Sequence, residues 1–344
     1  EAISRVLYPA DDHEEGKSLR LRQQYFFVSA SLQNILRDHL KKYGTLDNLA
    51  DKVVVHINDT HPALCVPELM RLLMDDHEYS WEKAWEITCN TLAYTNHTVM
   101  SEALETWSIG LFSARLPRIY TIVQEINRRF CEMVYNDHPE KRGVMDRIAV
   151  IGDGMVRMAN LCVACCYSVN GVSALHSQIL KDDLFKDYND IFPTKLTNVT
   201  NGIVHRRWLC ESNPGLTALI KELIGDGFVK NGAELEKLLA YKDDAAVLDR
   251  LTAIKRENKV RLGKYIENSC GIKVNPDSIF DVQAKRLHEY KRQLLCALHI
   301  YDLYRRIKLE GLKIHPRTFI FGAKASAGYV MAKEIIRFIC ALGD

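Results

Sequence analysis

A basic stretch at a predicted junction between a strand and a helix decides the fold of the second half of the chain. It is Asp281-Val282-Gln283-Ala284-Lys285-Arg286-Leu287-His288-Glu289-Tyr290-Lys291-Arg292. The apolar pair Ile279-Phe280 before it predicts a buried strand, and residues 290–309 predict a helix. Because the N-terminus of a helix offers free N–H groups and partial positive charge, cations gathered there indicate a site for an anion. A run of solvated surface charge is the alternative interpretation.

Strand and helix patterns alternate on either side of this stretch. Short β-branched or apolar runs predict strands at residues 52–57, 147–152, 278–283 and 318–321. Apolar residues at three-to-four spacing predict helices at residues 19–43, 63–74, 81–90, 117–135, 244–268 and 328–342. This alternation favours βαβ units in mostly parallel sheets. The residues from 193 to 208 separate two such regions, so the sequence predicts two α/β domains, with the second truncated after two strands.

The composition limits the classes of function that the chain can have. Its 344 residues are enough for roughly two domains with substantial cores. The formal net charge of +2 argues against a nucleic-acid-binding protein, which would carry a strong basic excess. No run of 18 or more apolar residues occurs in the sequence, so no membrane span is expected. Any anion site must therefore be local.

Ten cysteines are scattered through the chain, most of them among apolar neighbours. This distribution is typical of free thiols in a reducing cytosol. Cys162 and Cys165 have the C-x-x-C spacing of metal or redox sites, but no second pair accompanies them. We interpret them as structural thiols. The sequence begins at Glu1 and stops in a helix-end pattern, so we expect it to be an internal piece of a longer protein.

Three sets of polar residues suit a hydroxylated ligand. They are Asn58-Asp59-Thr60-His61, Asn96-His97-Thr98 and Thr200-Asn201-Gly202. The first two follow the predicted strand at residues 52–57 and the short segment at residues 92–94, and ligands of α/β sheets gather where strands end and helices begin. The third offers an amide next to a flexible glycine. Helix capping explains the first set equally well, and a lone histidine such as His97 is commonly structural. Tyr290 either packs in a core or offers its hydroxyl to a sugar. Together these patterns predict a cleft between domains with one basic pocket and sugar-compatible groups.

Seven ordered motifs extend this interpretation along nearly the whole chain. They are Arg5-Val6-Leu7-Tyr8-Pro9, Asn58-Asp59-Thr60-His61-Pro62, Ala93-Tyr94-Thr95-Asn96-His97-Thr98, Val169-Asn170-Gly171-Val172, Thr200-Asn201-Gly202-Ile203, Arg206-Arg207-Trp208 and Lys285-Arg286-Leu287-His288-Glu289-Tyr290-Lys291-Arg292. With these motifs the chain resembles the α-glucan phosphorylases, the glycogen and maltodextrin phosphorylase family. A set of seven in one order is far more specific than any single motif.

The resemblance implies an α/β fold with two Rossmann-like lobes of the GT-B glycosyltransferase type, both truncated here. Residues 1–198 would be the C-terminal part of the N-terminal lobe, and residues 199–344 the first part of the C-terminal lobe. Pyridoxal 5'-phosphate would lie between the lobes. Such enzymes are cytoplasmic, are usually homodimers, and cleave the terminal α-1,4 bond of a glucan with inorganic phosphate to release glucose 1-phosphate.

The resemblance also assigns roles to individual residues. Lys285, Arg286 and His97 would be the catalytic residues. Lys285, Arg286 and Lys291 would bind the cofactor or substrate phosphates, with Trp208 near the cofactor. His97, Asn201 and Tyr290 would bind the glucosyl unit, and Asp11, Asp59 and His61 would line its approach. No metal is implied.

Parts of the family's active site are expected outside this sequence. They are a glycine-rich phosphate loop before Glu1 and the cofactor lysine after Asp344. We therefore expect the chain alone to be inactive in phosphorolysis. Two alternatives stay open: a glucosyltransferase that uses a nucleotide sugar, and a catalytically silent glucan-binding relative. The sequence does not discriminate among glycogen, starch and maltodextrin, and it does not show allosteric control.

Overall fold

The chain has two compact units in a computed structural model that describes residues 3–7, 9–100 and 103–343. The units are Glu1–Asn201 and Gly202–Asp344, and both combine helices with parallel strands. The division falls after Asn201, close to the predicted change after Asn198. That the two units are parts of two lobes stays a prediction. Tyr8, which belongs to the first motif, lies outside the described residues.

The strands of the first unit form two sheets. They are β1 (Val55–Asn58), β2 (Leu92–Thr95), β3 (Thr106–Ser108), β4 (Ile151–Gly152), β5 (Met155–Arg157), β6 (Ser168–Gly171) and β7 (Leu196–Asn198). The larger sheet has the order β1-β2-β6-β7, and every neighbouring pair in it is parallel. The smaller sheet, β3-β5-β4, is antiparallel. Because the strands of the larger sheet are parallel, their carboxyl ends meet at one edge.

The helices of the first unit cover and connect these sheets. They are α1 (Glu14–Tyr43), α2 (Leu49–Lys52), α3 (Cys65–Arg71), α4 (Trp81–Thr91), α5 (Ile109–Arg115), α6 (Pro117–Asp137), α7 (Met145–Ile148), α8 (Met158–Cys165), α9 (Ala174–Ile179) and α10 (Lys186–Ile191). Helix α8 is buried along its whole length. It packs within a core that includes Ile57, Tyr94 and Val169, each with no exposed surface. Burial of such apolar area is the main stabilising contribution to this unit.

Local hydrogen bonds explain where α1 begins and ends. The sequence predicts its start near residue 19, but the helix begins at Glu14 because the Nδ1 atom of His13 accepts a hydrogen bond from the Gly16 amide, 3.0 Å away. At the other end Gly44 adopts a left-handed conformation with φ of 74°, which glycine tolerates without strain. Its amide donates to the Leu40 carbonyl and closes the last turn.

The strand predicted at residues 147–152 is wrong for most of its length. Residues up to Ile148 belong to α7, and only Ile151–Gly152 is extended. Side chains donate hydrogen bonds to the backbone carbonyls that would otherwise pair with a neighbouring strand. The Asn160 amide donates to the carbonyls of Arg147 and Ala149, at 2.9 and 3.0 Å, and the Tyr188 hydroxyl donates to the carbonyl of Ile148.

The second unit contains one two-stranded parallel sheet among its described residues. Its strands are β8 (Ile279–Ala284) and β9 (Arg317–Gly322), and its helices are α11 (Pro214–Ile224), α12 (Ala245–Cys270), α13 (Gln293–Glu310) and α14 (Val330–Gly343). Leu287, Ala332 and Ile335 form a small buried core. In the described part of the chain, we find no helix with the length and apolar character that crossing a membrane requires.

The helix predicted at residues 290–309 begins three residues late. Residues Glu289–Lys291 form a short 3-10 turn, and Arg292 has a left-handed backbone with φ of 64°. The α-helix starts only at Gln293, whose side-chain amide donates to the Arg286 carbonyl, 3.1 Å away. Residues 285–292 of the basic stretch are therefore an irregular connection between β8 and α13, and the helix N-terminus predicted at Tyr290 is not present there.

Candidate active site

The carboxyl edge of the larger sheet carries the polar motifs of the first unit. Backbone pairing continues just past the strands: the amide of Asp59 donates to the Thr95 carbonyl, and the amide of Asn96 donates to the Asn170 carbonyl, both at 3.0 Å. The amide of Val199 likewise donates to the Gly171 carbonyl, at 3.1 Å. These bonds hold the loops after β1, β2, β6 and β7 beside one another. The polar groups at these strand ends therefore face a common region.

His97 is exposed at this edge and is oriented by Asn58. Its Nε2 atom lies 2.6 Å from the Oδ1 atom of Asn58. Because an amide oxygen only accepts hydrogen bonds, the Nε2 atom must carry the proton. The Nδ1 atom is then an acceptor, and it makes no hydrogen bond with the residues that the structure describes. This nitrogen can accept a hydrogen bond from a hydroxyl group of a ligand.

Replacing Asn58 by alanine is expected to release the His97 ring. The Nε2-protonated tautomer should dominate in the native chain and lose its preference in the variant, because the fixed acceptor is gone. The chain should lose about 1 kcal/mol of stability with this hydrogen bond. Two-bond ¹H–¹⁵N spectra of the imidazole report the tautomer directly. Asn34→Ala, on the exposed side of α1, is the matched control, and equal tautomer populations in native chain and Asn58→Ala would contradict the assignment.

Asp59, His61 and Asp11 belong to a charged group next to His97. Loss of water around the ring lowers the pKa of His61; Arg20 and His97 act in the same direction, whereas Asp59 raises it. Asp59 has a left-handed backbone with φ of 58°, and its Oδ1 atom accepts from the Thr60 amide, 2.7 Å away. Asp11 is exposed, and its negative charge raises the pKa of Glu105, a carboxyl on which Asp59 acts in the same way. The structure thus brings together these three sequence-predicted residues and His97.

Glu105 is a member of this group that sequence reasoning missed. Its Oε2 atom accepts from the Gln24 amide at 2.8 Å, and its buried Oε1 atom has no partner among the described residues. Burial raises the pKa of Glu105 to about 7; Asp59 and Asp11 also raise it, and Gln24 and Arg20 lower it. The sequence offers no signal for this, because the partner Gln24 is 81 positions away.

Asn201 lies at the end of the first unit, held by its own backbone. Its amide donates to the carbonyl of Val172, 3.1 Å away, and its side chain is exposed. The Val172 amide in turn donates to the Nδ1 atom of His176 at 3.0 Å. Burial lowers the pKa of His176, contact with the Thr98 carbonyl raises it, and His97 lowers it. His176, which the sequence analysis also missed, therefore lies between the loops that carry His97 and Asn201.

The basic stretch of the second unit continues the pairing of β8 with β9. The Lys285 amide donates to the Gly322 carbonyl at 2.9 Å, and the Leu287 amide donates to the Lys324 carbonyl at 3.0 Å. Leu287 is 3% exposed and anchors the stretch in the small core. Arg286 and His288 on either side of it are exposed. The anchored backbone therefore fixes the positions from which the side chains of the neighbouring cations extend.

The cations of this stretch are not neutralised by nearby carboxylates. Lys285, Arg286 and Lys291 form no ion pair within residues 3–7, 9–100 and 103–343. The carboxylate inside the stretch, Glu289, instead accepts from the Tyr329 hydroxyl at 2.6 Å. Asp281, at the start of the stretch, pairs with Arg317 at 2.7 Å. An anion can therefore bind here without displacing a carboxylate, as a phosphate site requires.

Lys324 is a further cation at this edge that the sequence analysis did not select. It is exposed, follows β9 and also lacks a carboxylate partner among the described residues. Its carbonyl accepts from the Leu287 amide, so its backbone lies directly beside the basic stretch. The signal was available: a lysine three residues after the strand predicted at residues 318–321. It could be recognised only once β9 was known to pair with β8.

Tyr290 and Trp208 differ in how they relate to the cations. Tyr290 is 50% exposed, its ring lies 4.6 Å from that of His288, and the Nζ atom of Lys291 lies 5.3 Å from its centroid. Trp208 lies in the π-helical turn Arg206–Glu211 and is 66% exposed. No ring contact or side-chain hydrogen bond joins Trp208 to the basic stretch within the described residues. The structure therefore groups Tyr290 with the cations, and the place of Trp208 near the cofactor stays a prediction.

Comparisons with known proteins give one consistent result. A family model described as carbohydrate phosphorylase matches residues 1–344. The chain is 51% identical over 345 residues to glycogen phosphorylase of Bacillus subtilis, 48% identical over 356 residues to the muscle form of glycogen phosphorylase of Ovis aries, and 47% identical over 348 residues to glycogen phosphorylase of Synechocystis. Each match covers 100% of this chain. It covers 43%, 42% and 41% of the respective relatives, so the chain spans less than half of their length.

Proposed function

Because the chain belongs to the carbohydrate phosphorylase family, we propose that it forms part of an α-1,4-glucan phosphorylase. Such an enzyme transfers the terminal glucosyl unit of a glucan to inorganic phosphate, which yields glucose 1-phosphate and a glucan shorter by one unit. One observation carries this proposal: Lys285, Arg286 and Lys291 follow β8 without carboxylate partners among the described residues. A neutral glucan alone has no need of three such cations.

Pyridoxal 5'-phosphate fits the residues of the second unit. Unpaired cations next to a fixed backbone suit a phosphate group, and the edge formed by Lys285, Lys291 and Lys324 offers several of them. Lys285, Arg286 and Lys291 would hold phosphate oxygens, with Trp208 near the cofactor. When bound, the cofactor supplies a phosphate group that exchanges a proton with the substrate phosphate.

Arg286 and the lysines would do different work in this pocket. Two phosphate groups held side by side repel each other strongly where water is scarce, so fixed cations must offset that repulsion. The planar guanidinium of Arg286 can contact two phosphate oxygens at once, which fixes direction as well as charge. The ammonium groups of Lys285 and Lys291 act as point charges. Together they would position phosphate for attack at the anomeric carbon.

The residues of the first unit would bind the sugar. The Nε2 atom of His97 carries the proton because it donates to the Asn58 oxygen, so Nδ1 is an acceptor for a hydroxyl. The amide of Asn201 can donate and accept, and Tyr290 of the second unit offers a hydroxyl. Asp11, Asp59 and His61 would line the approach. Orienting the glucosyl unit matters because the transition state carries positive charge near the ring oxygen and reacts only in one alignment.

The same proposal extends to architecture and setting. The parallel order β1-β2-β6-β7 and the parallel pair β8-β9 support two Rossmann-like lobes of the GT-B type, of which these units would be parts. The free thiols support a reducing, cytoplasmic setting. A homodimer is proposed from family membership alone.

The function is tested by a chimera with glycogen phosphorylase of Bacillus subtilis. The matching segment of that enzyme, 51% identical over 345 residues, is replaced by this chain. We expect the chimera to release glucose 1-phosphate from glycogen or maltodextrin when phosphate is supplied. The purified chain alone should release none.

Two outcomes would contradict the proposal. Transfer of glucose from a sugar nucleotide without any phosphorolysis would indicate a glucosyltransferase. Glucan binding without turnover, in a chimera whose circular dichroism shows a native fold, would indicate a silent relative.

A further inference from the structure

Two thiols in the first unit lie in near contact although they are 76 positions apart in sequence. The Sγ atoms of Cys89, near the end of α4, and Cys165, at the end of α8, are separated by 3.7 Å. Both are free cysteines. The C-x-x-C spacing pairs Cys162 with Cys165 in the sequence, but in the fold the Sγ atom of Cys165 lies next to that of Cys89.

The backbone around this pair is held by the larger sheet. Helix α4 runs directly into β2, and α8 is followed by β6, which pairs with β2. The amide of Tyr167, just before β6, donates to the Leu92 carbonyl at 3.1 Å, so the pairing starts at the ends of the helices. The two thiols therefore cannot drift apart without breaking the sheet. A disulfide needs about 2.05 Å between the sulfurs, so the two must approach by about 1.7 Å from their separation of 3.7 Å.

Lys195 places a positive charge beside this pair. Its Nζ atom donates to the carbonyls of Val163 and Ala164 in the last turn of α8, at 2.8 and 3.3 Å. The ammonium interacts electrostatically with both Cys165 and Cys89. A nearby cation favours the thiolate, the reactive form of cysteine. Burial acts against this at Cys165, where it raises the pKa of the thiol.

The two thiols differ in their access to solvent. Cys89 is partly exposed, whereas Cys165 is 2% exposed. A small oxidant can therefore reach Cys89 first, whereas Cys165 is shielded from the solvent. This division between an accessible thiol and a resolving thiol is typical of cysteines that oxidise reversibly.

We propose that Cys89 and Cys165 form a thiol-oxidation site that closes to a disulfide on exposure to a peroxide. The Cys89 thiolate attacks the peroxide O–O bond, which leaves a sulfenic acid on Cys89 and releases water or an alcohol. The Cys165 thiolate then attacks the Cys89 sulfur and displaces its hydroxyl as water. In the balanced sum, two thiols and one peroxide give one disulfide, one water and one water or alcohol. The thiols are oxidised and the peroxide is reduced.

The crosslink would tie together the two helices that precede neighbouring strands of the active-site sheet. β2 leads to His97, and β6 leads to Val172, which binds the Asn201 amide. Oxidation would thus stiffen the base of the strands whose other ends carry the proposed sugar-binding residues. A bond that closes a long loop stabilises the folded state, so the thermal midpoint of the first unit should rise by roughly 5 °C or more.

The experiment uses the full chain with Cys270→Ser and Cys340→Ser. Both of these cysteines are exposed, so their replacement prevents crosslinks between molecules without disturbing a core. The folded protein is treated with hydrogen peroxide, free thiols are blocked, and the digest is mapped by mass spectrometry. We expect one dominant crosslinked peptide pair, containing Cys89 and Cys165, that dithiothreitol removes.

Variants separate this pair from the other buried thiols. Cys162→Ser should leave the crosslink intact, and Cys89→Ser should abolish it while Cys165 stays reduced. Lys195→Met should slow crosslinking severalfold, because it removes the cation that favours the thiolate, and Lys195→Arg should restore most of the rate.

Either of two results in the chain with only Cys270→Ser and Cys340→Ser would overturn the proposal. One is a crosslink from Cys165 to Cys162 or Cys166 in place of Cys89. The other is progressive oxidation of Cys89 to sulfinic acid with Cys165 still reduced. Both are read from the same peptide map and do not depend on whether the chain is a phosphorylase.

Discussion

Replacing Arg286 by alanine is expected to lower kcat/KM for glucan phosphorolysis by roughly 10²–10³-fold in the chimera, the loss that follows removal of one preorganised donor to a developing anion. Arg286 is exposed, follows β8 and has no ion pair among the described residues. Its guanidinium is therefore available to a phosphate and is not required to neutralise a carboxylate. The effect should appear in catalysis while the melting temperature changes little, because no described contact of its side chain is lost.

The control for this prediction is an arginine with similar exposure and no place in the proposed pocket. Arg261→Ala on α12 removes only a contact with Asn258 and should leave kcat/KM unchanged. The rate is measured as phosphate-dependent release of glucose 1-phosphate. A loss of less than about threefold in Arg286→Ala would remove Arg286 from the proposed phosphate site.

Protonation of Glu105 is the second large effect, and it acts on stability. Its pKa in the folded chain is raised from 4.5 to about 7, mainly by burial. The folded state therefore keeps a proton that the unfolded state releases near pH 4.5. The contribution of this group to stability is fully present below pH 4.5 and is lost as the pH rises through about 7. At 1.36 kcal/mol per pKa unit, the loss is about 3 kcal/mol.

Glu105→Gln isolates this contribution. The amide keeps the shape of the protonated carboxyl and cannot lose a proton, so the variant should become more stable than the native chain as the pH rises from 4.5 to about 7.5. Urea unfolding across that range, followed by a probe in the first unit, gives the difference in free energy of unfolding. Asp51→Asn, at an exposed carboxylate of α2, is the control and should show a constant difference from the native chain. Parallel curves for the native chain and Glu105→Gln would contradict the burial of an ionisable group here.

The groups around Glu105 explain why its titration bears on the active site. Arg20, Asp59 and Asp11 all act on it electrostatically, and Gln24 donates to it. Cys162 of α8 also interacts with it. Ionising Glu105 adds negative charge beside Asp59 and Asp11, two of the residues proposed to line the approach of the sugar. Glucan binding by the chimera should therefore weaken above pH 7 in the native sequence more than in Glu105→Gln.

Strand patterns made part of the site predictable from sequence. Parallel strands bring their carboxyl ends together, so Asn58 and His97 could be expected at one edge once the segments before them were recognised as extended. The strand before Asn201, β7, was not predicted. The motif around Lys285 could be recognised in the same way, from an apolar pair followed by cations. Periodicity and charge are local properties of the sequence, and the positions of these residues at strand ends follow mainly from them.

The remaining features depend on contacts between distant parts of the chain. Glu105 is buried by a loop packed against α1, and Cys89 meets Cys165 only because β2 pairs with β6. Residues 147–152 have the β-branched pattern of a strand, yet Asn160 and Tyr188 bind the carbonyls of residues 147–149, and only Ile151–Gly152 pairs in a sheet. Periodicity cannot reveal a competing side-chain partner, so this prediction failed.

Local sequence patterns predicted the cations of the basic stretch but not the start of the helix that follows it. Its cations and its position after a strand were predicted from sequence, and the structure places it after β8. The helix was predicted to start at Tyr290, but Arg292 takes a left-handed conformation and delays it to Gln293. Apolar spacing continues through residues 290–292, so periodicity alone could not show this break.

The KM for inorganic phosphate shows whether the basic stretch binds phosphate. It is measured in the chimera with the native sequence, with Arg286→Lys and with the control Arg261→Lys. Lysine keeps the charge of Arg286 but loses its bidentate contact. Arg286→Lys is expected to raise the KM for phosphate about tenfold and to leave the KM for glucan nearly unchanged. A KM for phosphate equal to that of the native chimera, or a rise confined to glucan, would show that Arg286 does not bind phosphate.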